Sequence, residues 1–135
     1  MSTNSASDDE IAGIHTLRHG LLALHKSLLD AERLRYEREH GRVEGGAQML
    51  QLLAFDPAFA WLRMLSALIV QVDERLDDKE QPFTADDAKK FREEARGLIV
   101  GKDGGEEFQR NYNRALQEYP DAVIAQSRVA RSLAR

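Results

Sequence analysis

Stretches of helical hydrophobic periodicity alternate with short polar breaks along the chain. The first helix should span residues 8–40, because apolar residues recur at steps of three and four from Ile11 to Leu28. No segment has the strict apolar–polar alternation of a β-strand. The pattern therefore predicts an all-α antiparallel bundle of four main helices, with a short extra helix and a C-terminal helical extension. The remaining helices are predicted over residues 47–54, 57–78, 85–100, 105–119 and 121–134.

Local signals at the helix ends support several of these boundaries. Ser7 followed by Glu10 is a capping box, in which each side chain bonds the backbone N–H of the other residue. Asp56, followed by proline, is a strong signal for a new helix start. We expect residues 1–7 to form a disordered tail and residues 8–135 to form one domain, as the length of 135 residues suggests.

Composition and charge narrow the classes of protein. Hydrophobic residues make up 42% and charged residues 31%, an ordinary globular balance, and the lack of cysteine excludes disulfides and thiolate chemistry. A net charge of -4 argues against nucleic-acid binding. The longest apolar run, near residues 65–72, is far shorter than the roughly 20 residues of a membrane span, and the acidic start does not resemble a signal peptide. We expect a cytoplasmic protein that binds neither nucleic acid nor membrane and uses no cofactor.

The most informative feature is a set of polar residues on faces that should be buried. His25, Glu32 and Tyr36 lie on the apolar side of the first helix, and Arg63 and Asp73 lie on that of the third. Buried polar groups are costly unless they have partners, so they usually mark a network or a site. If the two helices pack antiparallel, Glu32 should meet Arg63 in a bidentate ion pair.

Three interpretations of these five residues stay open. The simplest is a structural ion pair of Glu32 and Arg63, supported by hydrogen bonds from Tyr36. The second is a pocket for a small ligand or a metal, built from His25, Glu32 and Asp73 together with the same neighbours. The third is general acid–base catalysis by the same groups, which no recognised catalytic pattern supports.

Two histidine patterns have spacings found in metal sites. His15 and His19 lie one helical turn apart, but no carboxylate stands between them as it does in a metalloprotease helix. Glu37 and His40 have the Glu-x-x-His spacing of di-iron bundles, which need two such motifs and two further glutamates. The chain offers one copy beside a helix end, so we predict no metal at either place.

The segment that contains the only tryptophan is a candidate interface. Phe59, Trp61 and Met64 lie close together in the chain, and aromatic residues and methionine are enriched where proteins meet. Core packing is the simpler explanation of the same residues. An interface requires that at least one of the three side chains be exposed to solvent.

A family resemblance rests on two stretches, which read HKSLLDAERLRYEREHG and LLAFDPAFAWLRMLSALIVQVDE. Over roughly residues 25–76 they resemble a family of small bacterial all-helical proteins. The resemblance implies a bacterial, cytosolic bundle and brings no activity known to us.

With no catalytic motif present, the sequence favours a non-enzymatic interaction protein. It would self-associate, or bind another protein, through the face near Trp61 or through the C-terminal segment. The alternative is a bundle that binds a small ligand or a metal through the buried cluster of His25, Glu32, Tyr36, Arg63 and Asp73.

Overall fold

A computed structural model describes residues 5–134 of the chain. Within that span the regular structure is helical and no β-strand occurs, so the predicted all-α class is confirmed. The helices are α1 (Asp8–His40), α2 (Gly45–Phe55), a 3₁₀ helix (Pro57–Leu62), α3 (Arg63–Asp77), α4 (Ala85–Ile99), α5 (Gly105–Glu118) and α6 (Pro120–Leu133).

Helix α1 is the element on which the others pack. It is 33 residues long, about 50 Å at 1.5 Å per residue, and it contacts the 3₁₀ helix and each of α3 to α6. The predicted capping box is present: Ser7 Oγ accepts a bond from the Glu10 N–H at 3.1 Å, and Glu10 Oε1 accepts one from the Ser7 N–H at 2.9 Å. Its buried stripe consists of Ile14, Leu17, Leu21, Leu24, Leu28 and Glu32.

The C-terminal helix belongs to the core, so its prediction as an extension was wrong. Helix α6 makes the most extensive contact with α1 of any helix in the described chain. The two helices approach closely because the residues between them are small: a Cβ atom added at Gly20 would lie 3.2 Å from Val129 Cγ2, and Ala122 and Ala125 are buried on α6. Side chains of this size carry little hydrophobic signal, which hid the packing face from the sequence pattern.

The predicted helix over residues 57–78 divides into two elements. Asp56 caps the first of them, because its Oδ1 atom accepts a bond from the Ala58 N–H at 2.9 Å. The chain then forms the 3₁₀ helix, with three residues per turn, before α3 begins at Arg63. No described helix is by itself long and apolar enough to cross a membrane; α2 and the segment Pro57–Asp77 meet that test only as a pair bent by 80°.

Two side-chain contacts show that α3 runs antiparallel to α1. Arg18 near the start of α1 forms an ion pair with Asp73 near the end of α3. Seven residues later on α1, His25 Nε2 lies 2.6 Å from the hydroxyl of Ser66, seven residues earlier on α3. The antiparallel arrangement expected for these two helices is therefore present.

The segment just before α1 is held against the start of α4. Ser5 pairs with Thr84 as an isolated β-bridge, and the Ala6 N–H donates to the Phe83 carbonyl at 2.8 Å. Backbone pairing and the cap at Ser7 therefore hold residues 5–7, which lie within the segment 1–7 expected to be a disordered tail. The rest of that predicted tail, residues 1–4, lies outside the described residues.

The close approach of α1 and α6 can be tested with two matched glycine substitutions. We expect Gly20→Leu to lower the free energy of unfolding by about 1–3 kcal/mol, because the new side chain would push into Val129. Gly13→Leu on the same helix should be neutral or stabilise by up to about 1 kcal/mol, since a Cβ atom there meets nothing within 4 Å. Urea denaturation measures both, and equal effects would contradict the assignment.

Candidate functional site

The buried carboxylate of Glu32 is the centre of the polar network inside the bundle. Among residues 5–134 it is the only charged residue that is almost fully buried, at 4% exposure. Its Oε1 atom accepts a bond from the Trp61 indole N–H at 2.8 Å and another from Arg114 Nη2 at 3.3 Å. Arg35 Nη1 lies 3.8 Å from the other oxygen. The charge is therefore paired and hydrogen-bonded, as a buried carboxylate requires.

The surroundings of this carboxylate are tightly packed. Arg114 also donates to Asn111 Oδ1 on the same helix, and the Trp61 ring packs edge-on against Phe108 at 5.8 Å between centroids. The space left among Glu32, Arg114 and their neighbours is about 10 Å³. A space of that size holds at most about one water molecule. The network therefore joins α1, the 3₁₀ helix and α5, and it leaves no room for a ligand.

Arg63 is not the partner of Glu32, and this prediction was wrong. Arg63 is exposed at the start of α3, where its Nε donates to the Leu53 carbonyl at 3.2 Å and its Nη2 to the Asp56 carbonyl at 3.4 Å. These carbonyls lie at the C-terminal end of α2, which an arginine caps favourably. The 3₁₀ helix changes the direction of the side chains, so Trp61 points at Glu32 instead.

The five polar residues singled out from the sequence do not meet at one place. His25 pairs with Ser66, and half-buried Asp73 pairs with Arg18. The Tyr36 ring lies between those of His40 and Phe59 in tilted contacts, with centroids 4.4 and 5.7 Å away. None of the described hydrogen bonds joins Tyr36 to the Glu32 carboxylate. The five residues therefore belong to separate structural contacts. Their placement gives no support to a shared pocket.

His25 and Ser66 have the residue types of a nucleophilic site but lack its third group. The Ser66 oxygen lies 3.2 Å from the Leu62 carbonyl oxygen, one turn earlier on the same helix, and 2.6 Å from His25 Nε2. Among the described hydrogen bonds His25 has no carboxylate partner of the kind that orients the histidine of a nucleophilic triad. The contact fastens α1 to α3, and burial lowers the pKa of His25.

The residues weighed as metal ligands are also placed apart. His15 and His19 are exposed on α1. Glu37 bonds Arg33 at 3.2 Å and accepts the Val43 N–H at 2.8 Å, which fixes the turn after α1. Within residues 5–134 no three histidine, aspartate or glutamate side chains are grouped so as to hold a metal ion.

The predicted interface residues divide between the core and the surface. Phe59 is fully buried and Trp61 is 4% exposed, so neither can form a surface for a partner. Core packing, the simpler explanation of the segment, therefore holds for these two side chains. Met64 is 49% exposed and is the one of the three that meets the condition for an interface. The sequence analysis gave no interface role to α2, whose outward apolar residues the structure exposes.

An open groove of about 650 Å³ lies between the start of α1, α4 and the end of α6. Its lining mixes charges of both signs, such as Asp9 and Glu93 with Lys89 and Arg96. Arg96 Nη2 donates to the Leu133 carbonyl at 2.6 Å and thereby caps the last turn of α6. Part of the charged lining of the groove therefore serves to cap the end of α6.

The structural role of Glu32 predicts a specific loss of stability. We expect Glu32→Ala to lower the free energy of unfolding by about 1–3 kcal/mol, because it leaves the Trp61 N–H buried without an acceptor. Glu118→Ala is the control, since it removes a carboxylate 4.0 Å from Arg38 at the surface and should cost less than about 1 kcal/mol. Urea unfolding followed by Trp61 fluorescence measures both variants. A Glu32→Ala protein as stable as the control would contradict this role.

Burial of His25 predicts that the chain loses stability in mild acid. The lowered pKa means that the unfolded chain binds more protons than the folded chain once the pH falls below about 6.5, the ordinary value. The contribution of His25 is therefore present above that pH and is lost below it. His25→Gln keeps a hydrogen-bonding side chain beside Ser66 and removes the titration. We expect the free energy of unfolding of this variant to fall less than that of the wild type as the pH is lowered through about 6.5. The measurements stay above about pH 5, so that carboxylates do not titrate.

Comparison with known proteins gives the chain no relative from which a role can be transferred. No protein-family model, curated protein or solved structure matches it. No family model covers residues 25–76 either, the stretch for which the sequence suggested a resemblance. The function is inferred from the side chains and contacts of this chain.

Proposed function

We propose that the chain is a non-enzymatic helical protein that self-associates through the outward face of α2. The observation that carries the proposal is the exposure of two large apolar side chains on this one short helix. Phe55 is 80% exposed and Leu50 is 69% exposed, the highest values of any large hydrophobic residue in the described chain. Exposed apolar surface of this kind is typical of sites where proteins meet.

The composition of α2 supports the same conclusion. None of its eleven residues is charged, although 31% of the chain is, and Leu52 is its single buried residue. Its main contact is with the 3₁₀ helix that follows it. An amphipathic surface helix normally turns charged or polar groups to water. Here the side that faces water has no charged group and has Gln48 and Gln51 as its polar side chains. The exposed apolar surface of Leu50 and Phe55 is costly for a monomer and favourable for a complex.

Other exposed apolar side chains do not form a comparable face. They are spread over several elements: Leu22 and Leu34 on α1, Met64 and Val70 on α3, Val100 just after α4, and Val123 and Ile124 in the first two turns of α6. Apolar residues scattered in this way are normal on protein surfaces. They provide positions for control substitutions, because each can be made charged without touching α2.

The ligand-binding alternative has less support than the interaction role. It required the polar residues of α1 and α3 to surround one cavity, whereas His25, Glu32 and Asp73 each have a separate protein partner. The small space beside Glu32 also excludes anything larger than about one water molecule. The interaction role needs no such cavity and uses a face that is open.

Sedimentation of the purified chain over a wide concentration series tests the proposal. We expect the wild-type protein to form a dimer and Phe55→Glu or Leu50→Glu to weaken it at least about tenfold, because each change places a charge in an apolar contact. Val100→Glu, at an exposed apolar position outside α2, should leave the dimer unchanged. Circular dichroism confirms that each variant keeps its helices.

Two results would overturn the proposal. One is a wild-type chain that stays monomeric throughout the series. The other is a dimer that Val100→Glu weakens as much as Phe55→Glu does, because the face of α2 would then have no special part in the association.

A further inference from the structure

We infer that two copies of the chain associate by packing their α2 helices against each other in antiparallel orientation, with Leu50 near the two-fold axis. This inference rests on the proposed self-association and adds its geometry. It predicts that Ala47 of one copy lies against Ala54 of the other. The outward face of α2, the charges at its two ends and the length of the helix carry the argument.

The outward face has the spacing of a helix–helix seam. Ala47, Leu50 and Ala54 are all exposed and follow one another at steps of three and four residues. This is the spacing at which side chains of one helix interdigitate with those of another. The small side chains of Ala47 and Ala54 let a second helix come close. Exposed Gln51 follows on one flank of this strip, and Phe55 lies beyond it on the same side.

The middle of this face is self-complementary because it carries no charge. A second copy can therefore cover it without burying an unpaired ion or placing like charges together. The uncharged strip thus fits a second copy of itself.

Charges at the two ends of α2 favour the antiparallel orientation. Glu44 is the residue just before the N-terminal end, with Arg42 two residues earlier in the chain, and Arg63 bonds carbonyls at the C-terminal end beside Asp56. Antiparallel packing places Glu44 of one copy near Arg63 of the other, and Arg42 near Asp56. It also sets the positive end of each helix dipole beside the negative end of its neighbour, whereas parallel packing aligns like ends.

The length of α2 determines the register. If Glu44 meets the end where Arg63 lies, the two-fold axis falls close to Leu50, near the middle of the helix from Gly45 to Phe55. Ala47 then faces Ala54 of the second copy, and Leu50 packs beside its own counterpart. Phe55 extends over Ala47 of the second copy, where a small residue leaves it room.

Disulfide trapping tests this register, and the chain is suited to it because it has no cysteine. Ala47→Cys and Ala54→Cys are placed on separate chains at exposed positions, where folding is not at risk. When the two variants are mixed and gently oxidised, we expect a disulfide-linked heterodimer. Each variant alone should stay unlinked, because equal positions lie about 10 Å apart along antiparallel helices, beyond the reach of a disulfide.

A control variant separates a docked contact from chance collision. Val100→Cys is also exposed but lies outside α2, so it should link neither to itself nor to Ala54→Cys above background. Self-linking of Ala47→Cys and of Ala54→Cys at equal rates would show parallel helices and overturn the inference. A third outcome is that no disulfide forms, while the wild-type protein still forms a dimer that Phe55→Glu abolishes. That result would overturn this register and leave the proposed self-association intact.

A lipid surface is the other occupant that an apolar helix can take. The trapping experiment is therefore accompanied by flotation with neutral phosphatidylcholine vesicles. The wild-type chain would then stay monomeric and float with the vesicles, and Phe55→Glu would abolish this binding. That result would assign the face to lipid. That outcome would overturn both the antiparallel pair and the self-association.

Discussion

The apolar stripe of α1 is the constraint on which the rest of the structure depends. At 33 residues, α1 is more than twice as long as any of the helices from α3 onward, each of which has 14 or 15 residues. No single one of them can cover the stripe, so several must share its length. Helix α6 packs close where Gly20 lies, α3 follows the side of Arg18 and His25, and α5 reaches the end at Glu32. Helix α2 instead makes its main contact with the 3₁₀ helix that follows it.

Much of this arrangement could be predicted because it depends on residues close together in the chain. The capping box at Ser7 and the helix start at Asp56 follow from spacings of two or three residues. The burial of Glu32 follows from its position one turn beyond Leu28 on the stripe. Its partner could not be found in this way, because Arg114 lies 82 residues away and only the packing of α5 brings it near.

The wrong partner predicted for Glu32 has one physical cause. A continuous α-helix from residue 57 turns each side chain by about 100° from the last, whereas a 3₁₀ helix turns it by about 120°. Over the six residues of Pro57–Leu62 the difference grows to about 120°, a third of a full rotation. Residues assigned to one face of a single helix therefore point elsewhere. Trp61 reaches Glu32, and Arg63 turns outward to the end of α2.

Polar contacts at both ends fix the position of α2, and this affects the entropy cost of association through its surface. Glu37 accepts the Val43 N–H just before α2, and Arg63 bonds the Leu53 carbonyl near its last turn. A helix that contributes one buried residue to the core is thus fixed by polar contacts outside its own apolar face. Association through a fixed helix loses less conformational entropy than association through a loose segment. The contacts that orient α2 therefore favour association while leaving its apolar face open to a partner.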